Sequence, residues 1–149
     1  MITINVDTSG FDQVLADFPV RLAAAQKRAL QDIGAAVASR ATQAIRTVSL
    51  RPATWAPRKP SKRDDGHPLL IKSGDMRQSI SWRLEGEDTV VVGSSKEYAR
   101  YHQEGTKHMP ARPFFPIDRN GQLVPGMESK IQRTVERIYG EELGKLGGG

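Results

Sequence analysis

Residues 79–93 read SISWRLEGEDTVVVG. Ile80, Trp82 and Leu84 alternate with Ser81, Arg83 and Glu85, and Thr89–Val92 is a β-branched run. Alternation with a period of two marks a half-buried strand, and β-branched residues favour the extended chain. Gly86 and Asp88 lie between the runs, so Ser79–Leu84 and Thr89–Gly93 read as an antiparallel hairpin. Helical patterns flank that hairpin on both sides. The expected class is therefore α+β: a small, mainly antiparallel sheet packed by one long helix and a C-terminal helix.

Upstream, Ser73 can cap a short turn over Gly74–Gln78, with Asp75 at its positive end. Farther back, Leu22, Ala25, Ala29, Ile33, Val37, Ala41, Ala44 and Val48 recur at three- and four-residue steps, the stripe of an amphipathic helix. This predicts one helix from Pro19 to about Val48, roughly 45 Å long at 1.5 Å per residue. Its alanines, with Gly34 beside them, permit close approach to a sheet. A core helix crossing the sheet is favoured over a subunit-contact helix, although a helix this long can serve both purposes. Ile2, Ile4 and Val6 alternate with Thr3 and Asn5 as a first strand. Thr8 or Ser9 then caps a short helix carrying Phe11, Val14, Leu15 and Phe18.

Between the long helix and the hairpin, residues 50–70 form a Pro-rich loop containing Pro52, Pro57, Pro60 and Pro68. A connection this long without its own structure is usually functional or disordered. Trp55 is expected to anchor it, on its own domain or on a neighbour. Arg51, Arg58, Lys59, Lys62 and Arg63 fall in an acid-free stretch of thirteen residues, and these five cations equal the whole net charge of +5.

Downstream, residues 98–115 read YARYHQEGTKHMPARPFF. Glu97–Glu104 fits one or two helical turns, with Tyr98, Tyr101 and His102 on a shared face. Gly105 is suited to stop that helix in the left-handed conformation. Thr106–His108 is a polar turn, and Pro110 and Pro113 hold the following chain extended around Arg112. Phe114 and Phe115 follow, at least one of them expected in the core. A cation and two rings on a stiffened segment suit docking better than bond-making chemistry. Pro116-Ile117-Asp118 reads as a short edge strand, Asn120-Gly121 as a turn, and Gly126 to Leu143 as a helix with Met127, Ile131, Val135, Ile138 and Tyr139 on one face. Residues 144–149 read as a flexible tail.

At 149 residues the chain is expected to be a single domain, 1–149, large enough to bury a core without disulfide or metal. It has no cysteine, which excludes disulfides, thiolate catalysis and Cys-based zinc sites. No secretory signal and no run approaching a membrane span of about 20 apolar residues is seen. His102 and His108, with Glu97 and Glu104 nearby, are six apart across a glycine and lack a third ligand, so no metal is expected. His102 is read as hydrogen-bonded within the segment and His108 as exposed. G-x-S-x-G and GxxxxGK[ST] are absent, and His67 has no paired acid. No enzyme activity, catalytic residue or cofactor is expected.

Three motifs in order resemble the tailed-phage virion morphogenesis, or tail-completion, family of neck proteins, of the Mu-like prophage type. The first is Trp55-Ala56-Pro57 in the Pro52–Pro60 stretch. The second is Leu69-Leu70-Ile71-Lys72-Ser73-Gly74-Asp75-Met76-Arg77-Gln78-Ser79-Ile80, with Met76 where the family more often has Leu. The third comprises Tyr98-Ala99, His102-Gln103-Glu104-Gly105-Thr106 and Pro110-Ala111-Arg112-Pro113-Phe114. What the resemblance implies is a structural virion protein, made in the bacterial cytoplasm and acting at the neck or tail end. It would complete the tail and/or join it to the head as a ring, a hexamer by family analogy. Its partners would be itself and tail-tube or head-connector proteins, with possible contact to passing DNA and none to membrane. Interface candidates are Trp55, Tyr98, Tyr101, His102, Arg112, Phe114 and Phe115. Arg51, Arg58, Lys59, Lys62 and Arg63 are candidate DNA or partner contacts. The alternative is a small DNA-binding domain whose basic loop at 51–63 clamps phosphates without reading sequence.

Overall fold

The computed structural model describes residues 2–5, 19–60, 66, 68–71 and 74–146. Several expectations lie outside them: the strand end at Val6, the Phe11–Phe18 helix with its Thr8 or Ser9 cap, Lys62, Arg63, His67 and the Ser73 cap.

The hairpin forms as β2 (Ile80–Glu85) and β3 (Thr89–Ser94). Their register pairs Trp82 with Val92, Leu84 with Val90 and Glu85 with Thr89. β1 (Ile2–Asn5) joins the other edge of β3, antiparallel, with Ile2 opposite Val92 and Ile4 opposite Val90. Strand order among the described residues is β1-β3-β2. The central place of β3 explains its composition: Val90, Val91 and Val92 are all buried, whereas β2 alternates between half-buried and exposed positions.

The long helix α1 runs Pro19–Arg46 across this sheet. Leu22, Ala25, Ala29, Ile33, Val37, Ala41 and Ala44 are buried along the expected stripe, joined by Leu30, Ala38 and Ile45. The helix sits close because Gly34 faces the sheet. A Cβ there would lie 2.7 Å from Val90 Cγ2 and 2.9 Å from Trp82 Cδ2. Val48 departs from expectation. It lies beyond the helix in a single 3-10 turn, Val48–Leu50, and is 72% exposed. The cause is Arg51, whose guanidinium donates to the Ala44 and Ile45 carbonyls at 3.0 and 3.1 Å. A cation reaching back to the last carbonyls closes the helix before Val48.

A short helix, α2 (Asp75–Gln78), leads into β2, with Gly74 at φ 83° before it. After β3 comes α3 (Tyr98–Glu104), and α4 (Pro125–Leu146) completes the fold. Pro116-Ile117-Asp118 does not extend the sheet. Ile117 forms an isolated bridge with Leu123 around a turn in which Gly121 takes φ 76°. The segment's amide and carbonyl groups are used there, by Asp118 N–H to Gln122 O and Val124 N–H to Pro116 O. α4 also runs farther than expected, so Gly144-Lys145-Leu146 is helical rather than a loose tail. Gly144 takes no left-handed turn, and Lys145 is bonded to Glu142 one turn back at 2.8 Å.

α4 packs antiparallel to α1. Ile138 and Tyr139 are buried against Leu22, Ala25 and Ala29, while Met127 reaches the main core. A charge ladder flanks that seam: Arg28 to Glu141 at 2.8 Å and to Glu142 at 3.3 Å, and Arg137 to Asp32 at 2.9 Å. Bonds from Arg28 and Arg137 hold the Glu141 carboxyl below the usual carboxylate range.

Candidate functional site

β3 ends at Ser94, and α3 begins four residues later, so residues 98–115 stand off the end of the central strand opposite the hairpin turn. Ala99 inserts into the core and holds α3 down. Tyr98 and Tyr101 face outward, at 42% and 44% exposure, and the Tyr101 hydroxyl lies 3.4 Å from Glu97 Oε1. The Tyr98 ring meets the half-buried His102 ring edge-on, centroids 6.2 Å apart.

Gly105 donates its N–H to Tyr101 O at 2.8 Å and turns the chain at φ 76°, ψ 173°. It stops the helix, as expected, but not in the left-handed helical well. This combination of positive φ and extended ψ is essentially confined to glycine. A Cβ there would stand 2.7 Å from the Ala111 amide nitrogen, so the returning strand crosses directly over Gly105. Between them, Thr106 and Met109 close a tight turn with bonds of 2.9 and 3.3 Å. Lys107 and the expected exposed His108 form its tip.

The return run is held by a set of hydrogen bonds to α3 and to the Pro-rich loop. Arg112 N–H donates to His102 O at 2.7 Å. Gln103 Oε1 accepts from the amides of both Phe114, at 2.9 Å, and Phe115, at 3.0 Å. Trp55 Nε1–H donates to Pro113 O at 2.7 Å. The Arg112 guanidinium donates to Ala56 O at 3.0 Å and Pro57 O at 3.1 Å. The Pro-rich loop and the Pro-Ala-Arg-Pro run are thus cross-linked in both directions. Arg51 completes the arrangement, its guanidinium 3.6 Å from the Trp55 ring centroid. Such a stack contributes about 0.5–2 kcal/mol, more as water is excluded.

The structure therefore sorts the expected residues into two groups. Trp55, Phe114 and Phe115 are buried within the subunit, the two phenylalanines packed with centroids 4.8 Å apart. Trp55 anchors its loop on its own domain. Arg112 pins the segment through the Ala56 and Pro57 carbonyls. Tyr98 and Tyr101 remain on the surface. Of the basic residues, Arg51 is engaged internally, Arg58 is half-buried and Lys59 is exposed, with Lys62 and Arg63 outside the described residues. Sequence reasoning named Gln103 and Arg51 but missed what each does. Gln103 stood inside the quoted motif, and its Oε1 accepts from both phenylalanine amides. Arg51, one turn past a helix end, had the position of a C-terminal cap.

His102 differs from expectation. Its backbone carbonyl is bonded, but its Nδ1 is buried without a hydrogen-bond partner. Burial pushes the imidazole pKa down, and the nearby Arg112 cation lowers it further. The ring is consequently neutral at pH 7.

No described helix is long and apolar enough to cross a membrane. The arrangement presents an exposed surface at Tyr98 and Tyr101. No solved structure gives a significant match to the chain. Over 56 residues it is 42% identical to Mu-like prophage FluMu G protein 1 of Haemophilus influenzae, a match spanning 38% of this chain and 37% of that protein. The model of the phage virion morphogenesis family matches residues 6–136, nearly the whole described fold, and the chain belongs to that family.

Proposed function

We propose that this phage morphogenesis protein is a structural subunit of the neck, forming a six-fold ring at the end of the tail that completes it and joins it to the head. The observation that carries the reading is the prefolding of residues 98–115. Gln103, Trp55, Arg112 and Gly105 hold a polar and aromatic projection in place through contacts made within the subunit. Preorganisation of this kind lowers the ordering cost of association. A ring also requires two different patches per subunit, repeated head to tail.

Electron microscopy of lysate from a phage lacking this gene tests the proposal. Full heads separated from tails are expected, and joined, infectious particles would overturn it. In the phosphate-clamp reading, Arg51 would be one of the clamping cations, yet it is already engaged by Trp55 and the end of α1. The neck reading is kept for that reason. It predicts that the purified full-length chain binds duplex DNA weakly at physiological salt, with little change when Lys59, Lys62 and Arg63 become alanine.

A further inference from the structure

Two surface features lie at opposite ends of the central strand. At the end where β3 runs out, α3 exposes Tyr98 and Tyr101, three residues apart on one face, beside Glu97 and Arg100. At the other end, the hairpin turn and the N-terminal half of α1 enclose a groove of about 480 Å³ lined by Ala24, Lys27, Leu30, Leu84, Gly86 and Glu87. The six residues of β3 put about 20 Å between them.

The groove owes its shape to small residues, an exposed alanine on the helix and a glycine at the turn, and its floor to the buried Leu30. It has room for an aromatic ring. Lys27 and Glu87 line it and are exposed, and among the described residues neither side chain has a hydrogen bond or ion pair. On α3 the charges flanking the tyrosines are one of each sign and both exposed: Glu97, whose Oε1 lies 3.4 Å from the Tyr101 hydroxyl, and Arg100, whose solvent-screened pair with Glu104 at 3.0 Å is exchanged on docking. Tyrosine is enriched at interface hot spots because its large, rigid ring carries a polar tip.

We propose that these two patches dock on each other in successive copies of the chain: Tyr98 and Tyr101 of one copy enter the groove of the next, with Glu97 facing Lys27 and Arg100 facing Glu87. The contact rests on the ring reading above and supplies its joint. Because the patches differ and lie at opposite ends, each docking leaves one patch free at either end of the growing assembly. Such a head-to-tail contact is what a ring requires, and it differs from the self-complementary contact of a two-fold dimer.

The chain contains no cysteine, so introduced thiols report the contact directly. Ala24→Cys and Tyr101→Cys are both surface substitutions. Each is supplied alone, and then together as a mixture, to a phage lacking the gene, and the particles are oxidised mildly. A reducible dimer is expected from the mixture and from neither variant alone, and a chain carrying both substitutions should give a ladder of covalent multimers. Bridges formed by either single variant with itself, or full-titre particles from the mixture without a bridge, would overturn the contact. As a second measurement, Lys27→Glu should lower titre at least tenfold by setting like charges together, and adding Glu97→Lys should restore it. Failure of that rescue would also count against the pairing. Separated heads and tails in the gene-deleted phage, with no bridge in complemented particles, would remove this contact and leave the neck role intact. Joined particles without the gene would remove the neck role itself.

Discussion

Gly105 shows how much one residue can hold. Its φ 76°, ψ 173° backbone is strained for any side chain, and a Cβ would also strike the Ala111 backbone at 2.7 Å. Gly121 has the same φ of 76° with nothing within 4 Å of its would-be Cβ. Conformational strain alone costs on the order of 1–3 kcal/mol. Gly121→Ala should therefore lose about 1 kcal/mol, near the low end of that range, and Gly105→Ala about 3 kcal/mol or more, at or beyond its upper end. Urea denaturation of the two variants measures the difference, and equal losses would mean that the strand over Gly105 moves aside.

His102 gives the same segment a pH dependence. Its folded pKa lies below the ordinary value of 6.5, first because burial disfavours the imidazolium and second because Arg112 is a like charge. The unfolded chain thus takes up its proton at a higher pH than the folded chain does. Stability is complete above pH 6.5, falls as pH drops through that value, and stops falling below the folded pKa. Melting temperature measured from pH 7.5 downward should decline in this window, and His102→Gln should flatten the decline. A slope unchanged by that substitution would assign it to other groups.

At the scale of elements, the decisive contact is between α1 and the sheet. Replacing Gly34 by alanine improves intrinsic helix propensity by about 1 kcal/mol. The added methyl would meet Val90 Cγ2 at 2.7 Å and Trp82 at 2.9 Å, and Val90 belongs to the central strand, paired on both sides. Overpacking of that kind costs about 1–3 kcal/mol. The packing term should win, and Gly34→Ala should lower the melting temperature. A rise would show that helix and sheet can separate without loss.

Across the whole molecule, α4 is held by burial far more than by its charges. Arg28, Glu141, Arg137 and Asp32 remain largely exposed, where solvent screening leaves an ion pair little net effect on stability. Ile138 is fully buried between the helices, and truncating such a side chain costs about 2–5 kcal/mol. Arg137→Ala should therefore change stability by less than about 1 kcal/mol, with the effect shrinking in high salt. Ile138→Ala should be severely destabilising at any ionic strength.

The sequence by itself determined the hairpin, the two long helices and the faces they bury, though not every boundary. Alternation at 80–85, the small-residue stripe from Leu22 to Ala44 and the glycine after Glu104 are local patterns, because periodicity and backbone strain act between near neighbours. It also carried the family motifs around Trp55, Gly74 and Arg112. Only the tertiary structure decided that Trp55, Phe114 and Phe115 turn inward while Tyr98 and Tyr101 stay out. The bonds responsible run from Trp55 to Pro113, from Arg112 to Ala56 and Pro57, and from Gln103 to two amides in the next segment. None of these has a sequence period, since a hydrogen bond between distant segments depends on where the core brings their backbones. For the same reason Val48 followed the helical stripe in sequence and left it in space, once Arg51 had turned back to cap α1.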